Sequence, residues 1–125
     1  MSTVLVVDGD PSVRQILREF IELEGHRAIE AADATFARQA MAQETVDLIF
    51  LDVLMPGESG MSFCHCIKDD PECRGIKVIL LTGFDGERSW QQGLRCGADM
   101  LVVKPVNRQR IKVLLEELLS PEDRA

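Results

Sequence analysis

Four continuous apolar runs punctuate the chain, and each ends at a polar side chain. Val4–Val7 ends at Asp8, Leu48–Leu51 at Asp52, Val78–Leu81 at Thr82, and Met100–Val103 at Lys104. Short apolar runs bounded by turn residues predict strands buried on both faces, hence a parallel sheet covered by helices. Between the runs the period lengthens. Asp10-Pro11 offers an N-cap followed by proline in the first turn. Val13, Ile16, Leu17 and Phe20 then recur at helical spacing, and Gly25 closes the helix. Arg27–Ala31 is mixed, as an edge strand would be, and Asp33 can cap a helix bearing Phe36, Ala37, Ala40 and Met41. The loop Met55-Pro56-Gly57 leads into a helix with Met61, Phe63, Cys64 and Ile67, running toward Asp70-Pro71. A short helix is predicted from Glu87 to Arg95, weakened by Gly93. The last helix follows Asn107 and carries Ile111, Leu114, Leu115 and Leu118 on one face. Five strand–helix units in alternation predict a single doubly wound α/β domain with right-handed crossovers.

In such sheets ligands bind in the crevice beyond the carboxyl ends of the strands. Asp8, Asp52, Thr82 and Lys104 are therefore expected to meet there although they are distant in sequence. Two carboxylates, a hydroxyl and an ammonium suit a divalent cation together with a phosphoryl group.

These residues carry a family resemblance. The order Val6-Val7-Asp8-Gly9-Asp10, Leu51-Asp52-Val53-Leu54-Met55-Pro56, Leu81-Thr82-Gly83 and Val103-Lys104-Pro105 resembles the receiver domain of bacterial two-component response regulators, over about Thr3 to Leu119. The resemblance implies a flavodoxin-like (βα)5 domain, a five-stranded parallel sheet of order 2-1-3-4-5 with helices on both faces, spanning residues 1–125 with its core at 3–119. It implies that Asp52 accepts a phosphoryl group from a phosphohistidine on a histidine kinase or phosphotransfer protein, and that the product changes the binding of a downstream partner. Mg2+ would be held by Asp8, the Asp52 side chain and the Leu54 backbone carbonyl, with Asp10 as a further possible ligand. Lys104 would pair with the phosphoryl oxygens, and the Thr82 hydroxyl would turn inward to the phosphorylated aspartate. Gly83 leaves space for the phosphate, and Pro105 is a cis-proline position. Charge neutralisation and positioning are what such a transfer requires.

Three departures qualify the resemblance. The family usually has two adjacent acidic residues after the first strand, and the second position here is Gly9, so weaker magnesium binding is expected. Leu101 stands where an aromatic side chain usually swings inward on phosphorylation. Ser59 replaces a frequent Asp and still caps the next helix. Leu54 and Phe84 flank the expected path of the attacking water, and both are apolar, so slow hydrolysis of the acyl phosphate is expected.

Composition narrows the field. The 125 residues carry a net charge of -7 with 46% hydrophobic residues, and the pI is near 4.8. That balance argues against direct nucleic-acid binding, which needs Lys and Arg to neutralise phosphates. No run is long enough to span a bilayer, and the start runs directly into a strand without room for a signal peptide, so the reading is cytoplasmic. The four cysteines (Cys64, Cys66, Cys73, Cys96) are read as reduced small hydrophobes, since the spacing of Cys64, His65, Cys66 and Cys73 matches structural zinc poorly. His26 and His65 are read as solvent-facing. Trp90 is read equally as core or as a partly exposed anchor for a partner.

Arg88, Arg95, Arg108 and Arg110 mark a face formed by the Glu87–Arg95 helix, the fifth strand and the last helix, which could dock a partner or form a homodimer. No output domain follows Leu119, so the chain reads as a stand-alone receiver or an N-terminal piece. Two other functions fit parts of the pattern. A degenerate receiver would act as an interaction module that is never phosphorylated, supported only by Gly9. An Asp-nucleophile phosphatase is suggested because Asp8-Gly9-Asp10 is similar to the D-x-D motif of haloacid-dehalogenase-like hydrolases, with Thr82 and Lys104 in later roles. That second reading leaves Asp52 and the Met55-Pro56 loop unexplained.

Overall fold

A computed structural model describes residues 1–83, 91 and 95–119. Five parallel strands, β1 (Thr3–Val7), β2 (Arg27–Ala31), β3 (Leu48–Asp52), β4 (Lys77–Thr82) and β5 (Met100–Val103), form one sheet in the order β2-β1-β3-β4-β5. Described helices are α1 (Pro11–Leu23), α2 (Ala34–Gln43), α3 (Gly60–Asp69) and α4 (Arg108–Leu118). The predicted Glu87–Arg95 helix, with Arg88 and Trp90, lies outside the described residues apart from Gln91 and Arg95.

Side chains alternate across a strand, and the sheet uses both sides. Leu5, Val7, Ile49, Leu51, Val78 and Leu80 pack with Ala34, Ala37, Phe63, Cys64 and Ile67 of α2 and α3. Val4, Val6, Leu48, Phe50, Ile79 and Leu81 pack with Leu17 and Ile21 of α1 and with Ile111, Leu114 and Leu115 of α4. Residues 4–7 and 48–51 are fully buried, which is why those stretches are apolar at every position rather than at every second one.

The caps are local and explicit. Asp10 accepts from the Ser12 amide, Asp33 from Phe36, Ser59 from Ser62 and Asn107 from Arg110, satisfying amides that the first helical turns leave without partners.

Some expectations from periodicity shift. The buried line of α1 runs through Leu17 and Ile21, and Ile16 is 41% exposed. On α2, Ala34 and Ala37 are buried while Phe36 points outward, 55% exposed. In both helices small steps of about 100° per residue carry a neighbouring apolar residue off the core face. β5 takes the edge position that the order 2-1-3-4-5 implies, but it is not buried on both faces as its apolar run suggests, with Val103 39% exposed. His26, read as solvent-facing, is buried and accepts from the Ser2 amide at Nδ1 (3.2 Å). Gly25, at φ +84°, turns the chain back so that the Arg27 amide bonds the Ser2 carbonyl and His26 lies over the start of β1.

Candidate functional site

The ladder brings the strand ends level. Val7 pairs with Leu51, Asp52 with Leu81, and Thr82 with Val103. Asp8, Asp52, Thr82 and Lys104 thus arrive along one edge of the sheet. Asp8, Asp52 and Lys104 continue the alternation of the side that packs on α1 and α4, and Thr82 continues the other. Asp8 is 1% exposed, Asp52 7% and Thr82 2%. Charges so placed are costly unless paired.

Lys104 supplies the pairing. Its Nζ lies 2.8 Å from Asp8 Oδ2 and 3.4 Å from Asp52 Oδ1. Asp8 Oδ2 is otherwise buried without a directed hydrogen bond. Backbone amides also hold both carboxylates, at the second oxygen of Asp8 and at the same oxygen of Asp52 that faces Lys104. Asp8 Oδ1 accepts from the Asp10 amide at 2.8 Å, and Asp52 Oδ1 from the Leu54 amide at 3.2 Å. The Lys104 amide donates to the Thr82 carbonyl at 2.7 Å, tying β5 to the end of β4.

The charges act on one another. Burial, then the charge of Asp8, holds the Asp52 carboxyl above its ordinary value, against the pull of Lys104 and the Leu54 amide. Burial alone would lower Lys104, but Asp8 and then Asp52 outweigh it and hold the ammonium above its usual range. The group is therefore a lysine shared by two carboxylates whose negative charges repel.

The remaining residues named from sequence divide. Gly83 is exposed with open space where a Cβ would stand, and the Lys104–Pro105 peptide is cis. Leu54 is 65% exposed on the loop after β3. Leu101 is half-buried against the α2/α3 layer. Gly9 is exposed beside Asp8. Asp10 is not brought into the group, because its exposed carboxylate caps α1. The two acids of the D-x-D string therefore part, one inward and one outward. Phe84 lies outside the described residues. Arg95, Arg108 and Arg110 are exposed.

Two contributors escaped sequence reasoning. Arg14 Nη1 donates to the Asp8 carbonyl at 2.7 Å and Arg14 pairs with Glu30, fixing the end of β1 from α1. A lone helical arginine carries no motif. Gly60 is the other: a Cβ there would lie 2.0 Å from the Asp52 carbonyl oxygen, and the Gly60 amide donates to the Val53 carbonyl at 2.9 Å. Helix α3 thus rests its first turn directly on the Asp52 peptide. A glycine at the first helical position was the available signal.

The donor set fits a hard cation. Two carboxylate oxygens converge on one cationic position, and magnesium accepts one or two carboxylates plus water and phosphate oxygens. Among the described residues no group of three or more His, Cys, Asp or Glu side chains is arranged to hold a metal. Cys64 is buried and Cys66 exposed on α3, which parts the thiols of the zinc alternative. No described helix is long and apolar enough to cross a membrane.

Comparison with known proteins agrees with this architecture. The family model for the response regulator receiver domain matches residues 4–116. Response regulator PleD of Caulobacter vibrioides is 33% identical over 95% of this chain, which covers 28% of PleD. The chain spans about half the length, or less, of the curated relatives it matches. Among solved structures, chemotaxis protein CheY4 of Vibrio cholerae superposes with a TM-score of 0.88 at 28% identity, covering 95% of this chain and 99% of CheY4. Response regulator protein TrrA of Thermotoga maritima, solved in complex with Mg2+–BeF, gives 0.83 at 33% identity, covering 95% of this chain and all of TrrA (100%). With a sheet of this order and these four side chains at its edge, the chain belongs to the response regulator receiver domains of two-component signalling.

Proposed function

We propose that this domain is a phosphoacceptor switch: Asp52 takes a phosphoryl group from a histidine kinase or phosphotransfer protein, and the phosphorylated form binds a downstream protein differently. The observation that carries this reading is the Lys104 ammonium lying between Asp8 and Asp52, 2.8 Å and 3.4 Å from their oxygens. A carboxylate attacks an anionic phosphoryl group only where positive charge is already in place, so positioning and electrostatics do most of the work.

Asp52 is the attacking oxygen, its orientation fixed by the Leu54 amide. Lys104 moves from pairing two carboxylates to pairing the new phosphoryl oxygens. Thr82, level with Val103 at the end of β4, turns its hydroxyl to the product. Mg2+, when bound by Asp8, Asp52 and the Leu54 carbonyl, neutralises charge on the phosphoryl oxygens. That TrrA was solved with Mg2+–BeF supports this assignment. The reading carries with it a cytoplasmic location, where a histidine kinase presents its phosphoryl group, and a protein rather than nucleic-acid partner.

Incubation with acetyl phosphate and magnesium, followed by intact mass measurement, tests it. One phosphoryl group is expected on the wild type, none on Asp52→Asn, and none with EDTA. A wild type that stays unmodified under all donors would leave the interaction module as the function.

A further inference from the structure

The four cysteines stand as thiols and differ sharply in setting. Cys66 is exposed and Cys73 half-exposed, whereas Cys64 and Cys96 are buried and meet across 32 residues of sequence. Cys64 Sγ donates toward the Cys96 carbonyl oxygen at 3.5 Å, and the Cys96 sulfur is its other hydrogen-bonding neighbour. Buried thiols acting only as small hydrophobes need neither a directed contact nor access to solvent. Cys96 has both. With Met61, Ser62, His65 and Arg95 it lines an open cavity of about 450 Å³.

We propose that Cys64 and Cys96 are a peroxide-responsive dithiol, a modification site where a disulfide joins α3 to the segment entering β5. A reactive cysteine sits in an accessible, electropositive pocket with its thiolate favoured. Arg95 and His65 line the cavity beside Cys96. The hydrogen bond from Cys64 lowers the Cys96 thiol to about 6 against the opposing effect of burial. The Ala98 and Cys96 backbone and His65 add to that lowering. The same hydrogen bond, with burial, pushes Cys64 far up, while Lys68 and Asp99 act on it with opposite signs. Cys96 lines the cavity through which peroxide reaches the pair and Cys64 lies fully buried behind it, so Cys96 is the attacking sulfur and Cys64 the resolving one.

The chemistry balances with hydrogen peroxide as oxidant. The Cys96 thiolate attacks one peroxide oxygen, the O–O bond breaks, and the departing hydroxide takes a proton to become water. Cys96 is left as a sulfenic acid. The Cys64 sulfur attacks it, the S–S bond forms, the S–O bond breaks, and the Cys64 proton leaves with the hydroxide as a second water. Two thiols lose two electrons, and peroxide gains them.

The test uses the full chain and a variant with Cys66→Ser, at an exposed position, and Cys73→Ser, at a half-buried one, which leaves only this pair. After peroxide treatment the variant is expected to lose the mass of two hydrogens, regain it with dithiothreitol, and yield one cross-linked peptide joining residues 64 and 96. Adding Cys64→Ser is expected to convert the product to a sulfenic acid that dimedone traps on Cys96. An unchanged mass in the two-cysteine variant, or wild-type cross-links confined to Cys66 and Cys73, overturns the proposal.

Discussion

Lys104 serves two carboxylates at once, and at the residue scale most of the site's behaviour follows from that shortage of positive charge. The Asp52 carboxyl is held above its ordinary value by burial and by Asp8. A carboxyl with a raised folded value adds stability while protonated, below its unfolded value, and that contribution is lost as pH rises through the folded value. At neutral pH the charge on Asp52 is therefore a cost. Asp52→Asn is expected to melt above the wild type at neutral pH, with the gap narrowing as pH falls toward the ordinary carboxylate range. Thermal melts across that range check it, and an Asn variant that melts lower at neutral pH contradicts it. Gly9 is the complementary case. A Cβ there would make ordinary contact, 3.6 Å from Pro56 Cδ, at a backbone conformation any residue adopts. Gly9→Asp is expected to tighten magnesium binding roughly tenfold, about 1.4 kcal/mol, by adding a hard oxygen donor beside Asp8. Calorimetric titration of both proteins reads this directly.

At the scale of elements, the site depends on where helices begin. Asp10, Asp33, Ser59 and Asn107 stop their strands or loops and start α1, α2, α3 and α4 at fixed points. Ser59 places Gly60 against the Asp52 peptide. Any side chain at that position meets backbone on the other side, at 2.0 Å from the carbonyl oxygen, and backbone cannot step aside as a flexible side chain can. Gly60→Ala is expected to cost about 3 kcal/mol or more in chemical denaturation, with Asp52 phosphorylation by acetyl phosphate falling in the fraction that still folds. A variant with wild-type stability would mean that α3 slides along the sheet, which the packing of Phe63, Cys64 and Ile67 opposes.

At the scale of the whole molecule, the sheet was the most legible part of the sequence. Runs such as Leu48–Leu51 are apolar at every position because helices cover both faces, and no helical or half-buried pattern reads that way. Apolar content could not, however, distinguish the central strands from edge strand β5, since position in the sheet is set by crossovers rather than by the strand itself. Strand order came from the family resemblance, and the ends of the helical faces at Ile16 and Phe36 were set by packing. The convergence of Asp8, Asp52, Thr82 and Lys104 was legible because each ends a strand and strand ends share an edge. What supports them was not. Arg14 reaches the Asp8 carbonyl from the next helix, and Asp10 turns away to cap it, two outcomes that depend on three-dimensional direction rather than residue type.

The missing side chain at residue 60 has a structural corollary. The Asp52 peptide and the first turn of α3 are in direct backbone contact, with no side chain between them. Cys64 lies about one turn beyond Gly60 on the same helix, so the proposed dithiol and the proposed phosphoacceptor border a single element.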